Sequence, residues 1–100
     1  MEPQSVIVAY LHTPKEKFWG VLLALNQTGM TLRGLDLATF DDWTRQVARG
    51  DEPAIGLTTT FFPISRVEKL ILDETTGSAL SFSDQFFQRV GRSVREYLEL

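Results

Sequence analysis

The chain contains no cysteine and only one histidine, His12. Without cysteine there is no disulfide, no thiolate ligand for zinc and no cysteine nucleophile. A single imidazole gives little from which to build a metal centre or a catalytic triad, so we interpret His12 as a surface residue at the end of a strand. Glycine-rich phosphate loops, serine elbows and zinc-protease motifs are also lacking. We therefore predict no cofactor and no enzymatic activity.

Long apolar runs and an excess of positive charge are lacking too. No stretch reaches the roughly 18 apolar residues of a membrane-spanning helix, and the N-terminus has no basic region before an apolar segment. We expect a cytoplasmic protein that does not contact a membrane. The net charge is -3 and the sequence pI is near 5.0, which argues against DNA as a partner.

The residues that are present predict one small, mainly β domain over residues 1–100. A content of 43% hydrophobic and 11% aromatic residues is enough for one core. Apolar and β-branched segments separated by turns predict five strands. They lie at residues 5–12 and in the segments FWGVLLALN, MTLRGLDL, IGLTTTFFPI and RVEKLILDE. Gly20 and Gly34 fall inside strands, which predicts a bend or a close backbone approach at both.

Two segments break the strand pattern. Residues 39–52 form a helical insertion between the third and fourth strands, because Thr39 followed by Asp42 resembles a capping box. Residues 81–100 carry apolar side chains at spacings of three and four, which is typical of an amphipathic helix. Gly91 interrupts this tail, so the sequence leaves open one kinked helix or two short ones.

Two motifs carry a resemblance to a known family. Gly20 is followed six residues later by Asn26 at the turn after the second strand, and FFPISRVEKLIL joins two short strands at a tight corner with Val67 opening the last strand. These segments resemble the two motifs of the Sm-like family, which includes Lsm proteins and bacterial Hfq. The resemblance implies a five-stranded SH3-like barrel over residues 5–74. It also implies a homo-oligomer in which the fourth strand of one subunit pairs with the fifth strand of the next.

The resemblance leaves two functions open. Sm-like proteins bind single-stranded RNA, but the positions of the family's other RNA contacts hold Pro63, Ile64 and Ser65 here. The chain is therefore either an interaction scaffold or weak RNA binder, or an RNA-binding ring of the Lsm and Hfq type. A scaffold would hold a protein partner through the tail helix or the loop around Trp43. The candidate residues for RNA or partner binding are Asn26, Trp43, Arg66 and Lys69.

The segment GLTTTFF has the β-branched content that pairing between subunits requires. The candidate residues of an oligomer interface are Thr58, Thr60, Phe62 and Val67. The adjacent aromatic pairs Phe18–Trp19 and Phe61–Phe62 must each place one ring away from the core. The outward ring could stack on a base, or it could be buried against the tail helix or a neighbouring subunit; we predict that it is buried.

Charged clusters allow further interpretations. Four acids bracket the insertion: Asp41, Asp42, Asp51 and Glu52. They could hold a hard cation, which gives a third hypothesis of a ligand- or metal-binding barrel, although we favour a solvated loop. Arginines recur every three residues along the tail at Arg89, Arg92 and Arg95. This row could meet phosphates, or it could stabilise the helix through pairs with the nearby glutamates.

Overall fold

A computed structural model of the chain describes residues 1–50 and 52–100 and contains strands β1 to β5 and helices α1 to α3. The strands are β1 (Val6–Leu11), β2 (Glu16–Leu25), β3 (Gly29–Asp36), β4 (Thr58–Pro63) and β5 (Val67–Leu72). The helices are α1 (Phe40–Ala48), α2 (Phe82–Val90) and α3 (Val94–Tyr97). Short 3-10 turns at Leu37–Thr39 and Ile64–Arg66 lead into α1 and β5. The predicted mainly β class, the strand number and the helical insertion are confirmed.

The strands form one antiparallel sheet in the order β4-β3-β2-β1-β5. β4 and β5 are its two edges, and within the described ranges they do not pair with each other. The sheet is therefore open, and the closed barrel implied by the resemblance is not formed by these hydrogen bonds. Because every neighbouring pair is antiparallel and the strand number is odd, β4 and β5 run in the same direction.

Gly20 of β2 lies directly opposite Gly34 of β3. A Cβ atom on Gly34 would lie 2.1 Å from the carbonyl oxygen of Trp19, and one on Gly20 would lie 2.3 Å from that of Arg33. Both distances are far shorter than van der Waals contact, so neither backbone position has room for a side chain. The predicted close approach at these glycines is confirmed.

Side chains alternate along the strands, and both faces of the sheet are apolar. On the face that we call the inner face, the buried residues are Ile7, Ala9, Leu11, Leu22, Met30, Leu32 and Phe62. On the opposite, outer face, the buried strand residues are Val6, Val8, Trp19, Val21 and Leu35. The helices cover this outer face with Phe40, Trp43, Val47, Phe86 and Val94. One hydrophobic layer thus lies on each side of the sheet.

Aromatic rings join the helices to the outer face. Trp43 of α1 stacks on Phe86 of α2 with ring centroids 5.2 Å apart, and it lies 5.6 Å from Trp19. Trp43 and Trp19 are each 1% exposed. Trp43 therefore lies in the core rather than on a surface that a partner can reach. The outward ring of the first aromatic pair, Trp19, is buried under the helices. Phe61 of the second pair is 53% exposed in the single chain, so its burial against a neighbouring subunit stays a prediction.

The tail forms two helices, which settles the alternative left open by the sequence. The Ser81 hydroxyl accepts the Asp84 N–H at 2.9 Å at the start of α2, and Ser93 does the same for Glu96 at 3.1 Å at the start of α3. Gly91 ends α2 with φ of 85°, a left-handed conformation that favours glycine. The break between the helices therefore follows from local sequence.

The predicted capping box of α1 is wrong. The Thr39 hydroxyl donates to the carbonyl oxygen of Asp36 at 2.8 Å instead of capping the helix. The Asp36 carboxylate accepts the Ala38 N–H at 2.9 Å and caps the preceding 3-10 turn. The helix still begins at Phe40, directly after Thr39, so only the side-chain capping bond of the prediction is missing. None of the helices in the described ranges has the length and apolar content needed to cross a membrane.

Candidate interaction surfaces

Two lysines and a tyrosine form a cluster on the outer face of the sheet. Tyr10 of β1 faces Lys17 of β2 on one side and Lys69 of β5 on the other. Their Nζ atoms lie 5.2 Å and 4.6 Å from the centre of the tyrosine ring. The electron-rich face of an aromatic ring attracts cations, so Tyr10 holds both ammonium groups close together. We call these residues the lysine–tyrosine cluster; of its members, sequence reasoning found only Lys69.

Arg66, a predicted binding residue, is bound within the molecule. Its Nε donates to the carbonyl oxygen of His12 at 3.2 Å, and its Nη2 donates to the carbonyl oxygen of Pro14 at 2.8 Å. Nη2 also lies 2.7 Å from the carboxylate of Glu16. These contacts join the corner between β4 and β5 to the turn between β1 and β2. Arg66 therefore stabilises the fold through the same donors that would bind a phosphate.

Asn26, the second predicted RNA residue, organises the turn between β2 and β3. Its Oδ1 accepts the N–H groups of Thr28 at 2.9 Å and of Gly29 at 3.3 Å, together with the Thr28 hydroxyl. Asparagine commonly stabilises turns in this way. The turn predicted at residues 26–29 is confirmed, and the amide oxygen of Asn26 is used to form it.

A groove of about 480 Å³ lies where the C-terminal end of β5 meets α2 and α3. The residues of its lining that matter here are Leu72, Asp73, Glu74, Asp84, Phe87 and Arg95. Leu72 and Phe87 are 45% and 55% exposed and give the groove an apolar wall. Three carboxylates against one guanidinium give it negative charge. We call it the β5 groove.

Asp73 connects the sheet to the tail beneath this groove. One carboxylate oxygen accepts the Phe82 N–H at 2.8 Å; the other accepts the Ser83 N–H at 2.8 Å, the Ser83 hydroxyl at 2.7 Å and the indole N–H of Trp19 at 3.0 Å. The negative charge also lies at the N-terminus of α2, where the helix dipole favours it. Sequence reasoning missed this role, because the donors lie up to 54 residues away.

The free edge of β4 is formed by two residues that sequence reasoning did not select. The Ile64 N–H donates to the carbonyl oxygen of Thr28 at 3.0 Å. Backbone groups alternate in direction along an antiparallel strand. The N–H and C=O groups of the even-numbered residues of β4 therefore point to β3, like the N–H of Ile64. Those of Thr59 and Phe61 point to solvent. Phe61 adds an exposed ring to this edge.

The predicted interface residues lie on the same edge strands, three of them in β4 and Val67 in β5. The Thr58 hydroxyl lies 3.5 Å from the Gly34 carbonyl oxygen and 3.3 Å from the Thr60 hydroxyl. Phe62 is buried on the inner face, and Val67 is half-buried against the same cluster. Within one subunit, these four side chains therefore contact the protein's own sheet.

The free edge of β5 carries apolar side chains on both faces. The Asp73 N–H donates to the carbonyl oxygen of Val6 at 2.9 Å, so by alternation Lys69 and Ile71 point their backbone groups to β1. Leu70 and Leu72 then point theirs to solvent. The Ile71 side chain lies on the outer face and is 41% exposed, and that of Leu72 lies on the inner face.

The acids of the insertion have separate partners. Asp41 lies 2.7 Å from Arg89 of α2, and Asp42 lies 3.7 Å from Arg45. The hydrogen bond and charge of Arg89 lower the pKa of Asp41 below its ordinary value of 3.8, and the charge of Arg45 adds to the effect. Asp51 lies outside the described residues. Within residues 1–50 and 52–100, no three histidine or acidic side chains come together in a way that could hold a metal ion.

The remaining charged candidates also contact their own chain. His12 is exposed, with its Nδ1 3.1 Å from the Thr13 hydroxyl. Arg92 lies 3.7 Å from Glu96, and Arg95 donates to the carbonyl oxygen of Gln4 at 3.1 Å. The tail arginines therefore hold the tail in place rather than forming one continuous basic row.

The accessible surfaces are the lysine–tyrosine cluster, the β5 groove and the two sheet edges. Comparison of the chain with protein-family models, curated proteins and solved structures finds no match.

Proposed function

We propose that this protein is a non-enzymatic interaction module that assembles with further copies of itself through the edges of its sheet. The observation that carries the proposal is the exposure of Phe61, Ile71 and Leu72 beside free backbone groups on both edge strands. Unpaired strand edges of this kind form hydrogen bonds with another strand. Burial of the apolar side chains adds about 25 cal/mol per Å² removed from water.

Several of the charged groups are engaged in contacts within the chain. Asp73 accepts four hydrogen bonds, and Arg66 donates three. Arg89 binds both Asp41 and the hydroxyl of buried Thr44. The subunits of Sm-like proteins join at strand edges. As an analogy between folds, the resemblance to this family also supports assembly through the edges of the sheet.

Light scattering across a range of protein concentrations tests the proposal. We expect the wild-type mass to exceed that of a monomer at micromolar concentration and above. The double variant Phe61→Lys/Leu72→Lys places a charge on each edge and should be monomeric, whichever edges pair. Leu80→Lys/Leu100→Lys is the matched control, because both leucines are exposed and lie outside the sheet. A wild-type protein that stays monomeric throughout this range would contradict the proposal.

A second candidate function is the binding of single-stranded RNA, and the lysine–tyrosine cluster favours it. Lys17 and Lys69 are exposed and place two positive charges around the half-buried ring of Tyr10. Phosphates bind lysines, and bases stack on aromatic rings. Arg66 contributes less to RNA binding than the sequence indicates, because its Nε and Nη2 donate within the chain.

Fluorescence anisotropy with a labelled oligouridine tests this second candidate. We expect salt-sensitive binding, and Lys17→Gln/Lys69→Gln should reduce both the affinity and the slope of log K against log salt. Lys15→Gln is the control, because it removes a lysine charge from the nearby turn and leaves the lysine–tyrosine cluster unchanged. Equal binding by the wild type and the double variant would assign any RNA affinity to another surface.

A further inference from the structure

The directions of the edge strands restrict how two copies can join. β4 and β5 run the same way, so attaching β4 of one copy to β5 of another with matching faces gives a parallel pair. An antiparallel pair between them would place the inner face of one sheet beside the outer face of the next. Two β5 strands related by a twofold axis perpendicular to the sheet pair antiparallel and keep both faces continuous. A symmetric interface of this kind is the commonest arrangement in homodimers.

The β5 edge is better suited to such pairing than the β4 edge. β4 ends in Pro63, which has no N–H to donate, and three of its six residues are threonines. The C-terminal half of β5 consists of Leu70, Ile71 and Leu72, without proline or charge. An apolar, unpaired edge segment is the feature that favours strand pairing.

Side-chain chemistry selects one register of the β5 pair. A twofold axis at Lys69 would place two lysines opposite each other, and an axis at Leu70 would place Lys69 opposite Ile71. An axis at Ile71 places Ile71 opposite Ile71 on the outer face and Leu70 opposite Leu72 on the inner face. Only this last register matches apolar side chains on both faces, which stabilises cross-strand pairs.

The same register brings opposite charges together. Lys69 of each copy then lies opposite position 73 of the other, at the acidic β5 groove with Asp73, Glu74 and Asp84. The twofold axis makes this contact twice. Glu68 and Glu74 face each other beyond the paired segment, where both side chains are exposed to solvent. Attraction between the lysine and the groove therefore adds to the apolar pairing.

We infer that two copies of this chain form a symmetric dimer through antiparallel β5 strands centred on Ile71, with Lys69 of each copy at the β5 groove of the other. The inference rests on the proposed self-assembly and specifies its partner and its geometry. The dimer would extend the five-stranded sheet into one continuous ten-stranded sheet.

Disulfide cross-linking tests the centre of the dimer, because the native chain has no cysteine to compete. Ile71 points its backbone groups to β1 and would form a non-hydrogen-bonded pair with its copy. Such pairs have Cα atoms about 4.5 Å apart, within the range of a disulfide. Under mild oxidation with glutathione disulfide, Ile71→Cys should form covalent dimer at least about tenfold faster than Phe61→Cys, the matched control on the exposed β4 edge.

The outcomes separate this inference from the proposed function. Equal rates for the two variants, or a faster reaction of Phe61→Cys, would overturn the β5 dimer. The proposed self-assembly would still stand if light scattering shows an oligomer. A faster reaction of Lys69→Cys than of Ile71→Cys would overturn the register. A wild-type monomer at every concentration, with no cross-linking at Ile71→Cys, would overturn both proposals.

A charge reversal tests the contact with the groove. Lys69→Glu should raise the dimer dissociation constant by about tenfold in sedimentation equilibrium at low salt, because it replaces two attractive contacts by repulsive ones. Lys15→Glu makes the same charge change in the turn between β1 and β2 and should change the constant by less than about twofold. An equal effect of both substitutions would overturn the assignment of Lys69 to the groove.

Discussion

At the scale of single residues, the path of the sheet depends on two positions without a Cβ atom. Gly20 and Gly34 face each other, and each lies against a backbone carbonyl group of the neighbouring strand. Backbone cannot move aside as a flexible side chain can. A methyl group at either position must therefore separate β2 from β3 or distort them.

We predict that Gly34→Ala destabilises the protein by about 3 kcal/mol or prevents folding. The added Cβ would lie 2.1 Å from the Trp19 carbonyl oxygen. Gly56→Ala is the control, because a Cβ there meets no atom within 4 Å. Urea unfolding followed by circular dichroism measures both variants. Similar stability of the two would contradict the close approach described here.

The fold also depends on the carboxylate of Asp73. Replacing its carboxylate in Asp73→Ala leaves the Trp19 indole and the N-terminal amides of α2 without their acceptor. We predict a loss of about 2–3 kcal/mol in the free energy of unfolding, as for hydrogen bonds to a charged group. Glu74→Ala removes the neighbouring exposed carboxylate and should stay within about 0.5 kcal/mol of the wild type. A small effect at Asp73 would mean that the tail docks without it.

At the scale of elements, α1 and α2 are joined by a charged contact above the aromatic core. Arg89 of α2 lies 2.7 Å from Asp41 and donates to the hydroxyl of Thr44 at 2.9 Å. Thr44 is fully buried, whereas Asp41 is exposed to solvent. The arginine therefore spans from the buried side of α1 to its surface, and the ion pair depends on the charge of Asp41.

This contact predicts a stability change at acidic pH. Because the pKa of Asp41 is lower in the folded protein than its ordinary 3.8, the contact stabilises the protein fully above that value and is lost as pH falls through the folded pKa. Asp41→Asn should lower the melting temperature at pH 7, and the difference from wild type should shrink below about pH 4. Asp42→Asn, at a neighbouring exposed pair, serves as the control. A difference that is constant with pH would contradict this assignment.

At the scale of the whole molecule, the helices cover the outer face of the sheet, and within residues 1–50 and 52–100 both edge strands are unpaired. The three helices pack on the outer face, and the inner face holds its own apolar cluster. Both edges remain free to bind another chain. The proposed dimer removes one free edge from each copy and leaves the two β4 edges at the ends of the joined sheet.

Self-assembly predicts that thermal stability depends on protein concentration. Association that requires the folded state stabilises it by mass action, so the melting temperature should rise as concentration rises. The Phe61→Lys/Leu72→Lys variant should show no such rise. Differential scanning calorimetry at several concentrations measures the effect. A melting temperature independent of concentration in the wild type would count against assembly.

Local sequence patterns predicted the elements well, because they depend on neighbouring residues. The alternation in β3 and the caps at Ser81 and Ser93 each act within a few residues, and all are found in the structure. The burial of Trp43 and the exposure of Phe61 could not be predicted from neighbouring residues. Which aromatic ring is covered depends on where the helices dock, and docking is set by residues distant in sequence.

The sequence by itself determined the mainly β class, the positions of the strands, the helical insertion and the need for glycine at positions 20 and 34, because these follow from periodicity, turn chemistry and the size of single side chains. Only the tertiary structure decided that the sheet is open and that Tyr10 lies between Lys17 and Lys69. It also decided that Asp73 holds Trp19 and α2 together. These features join residues distant along the chain, and strand order and helix docking bring them together.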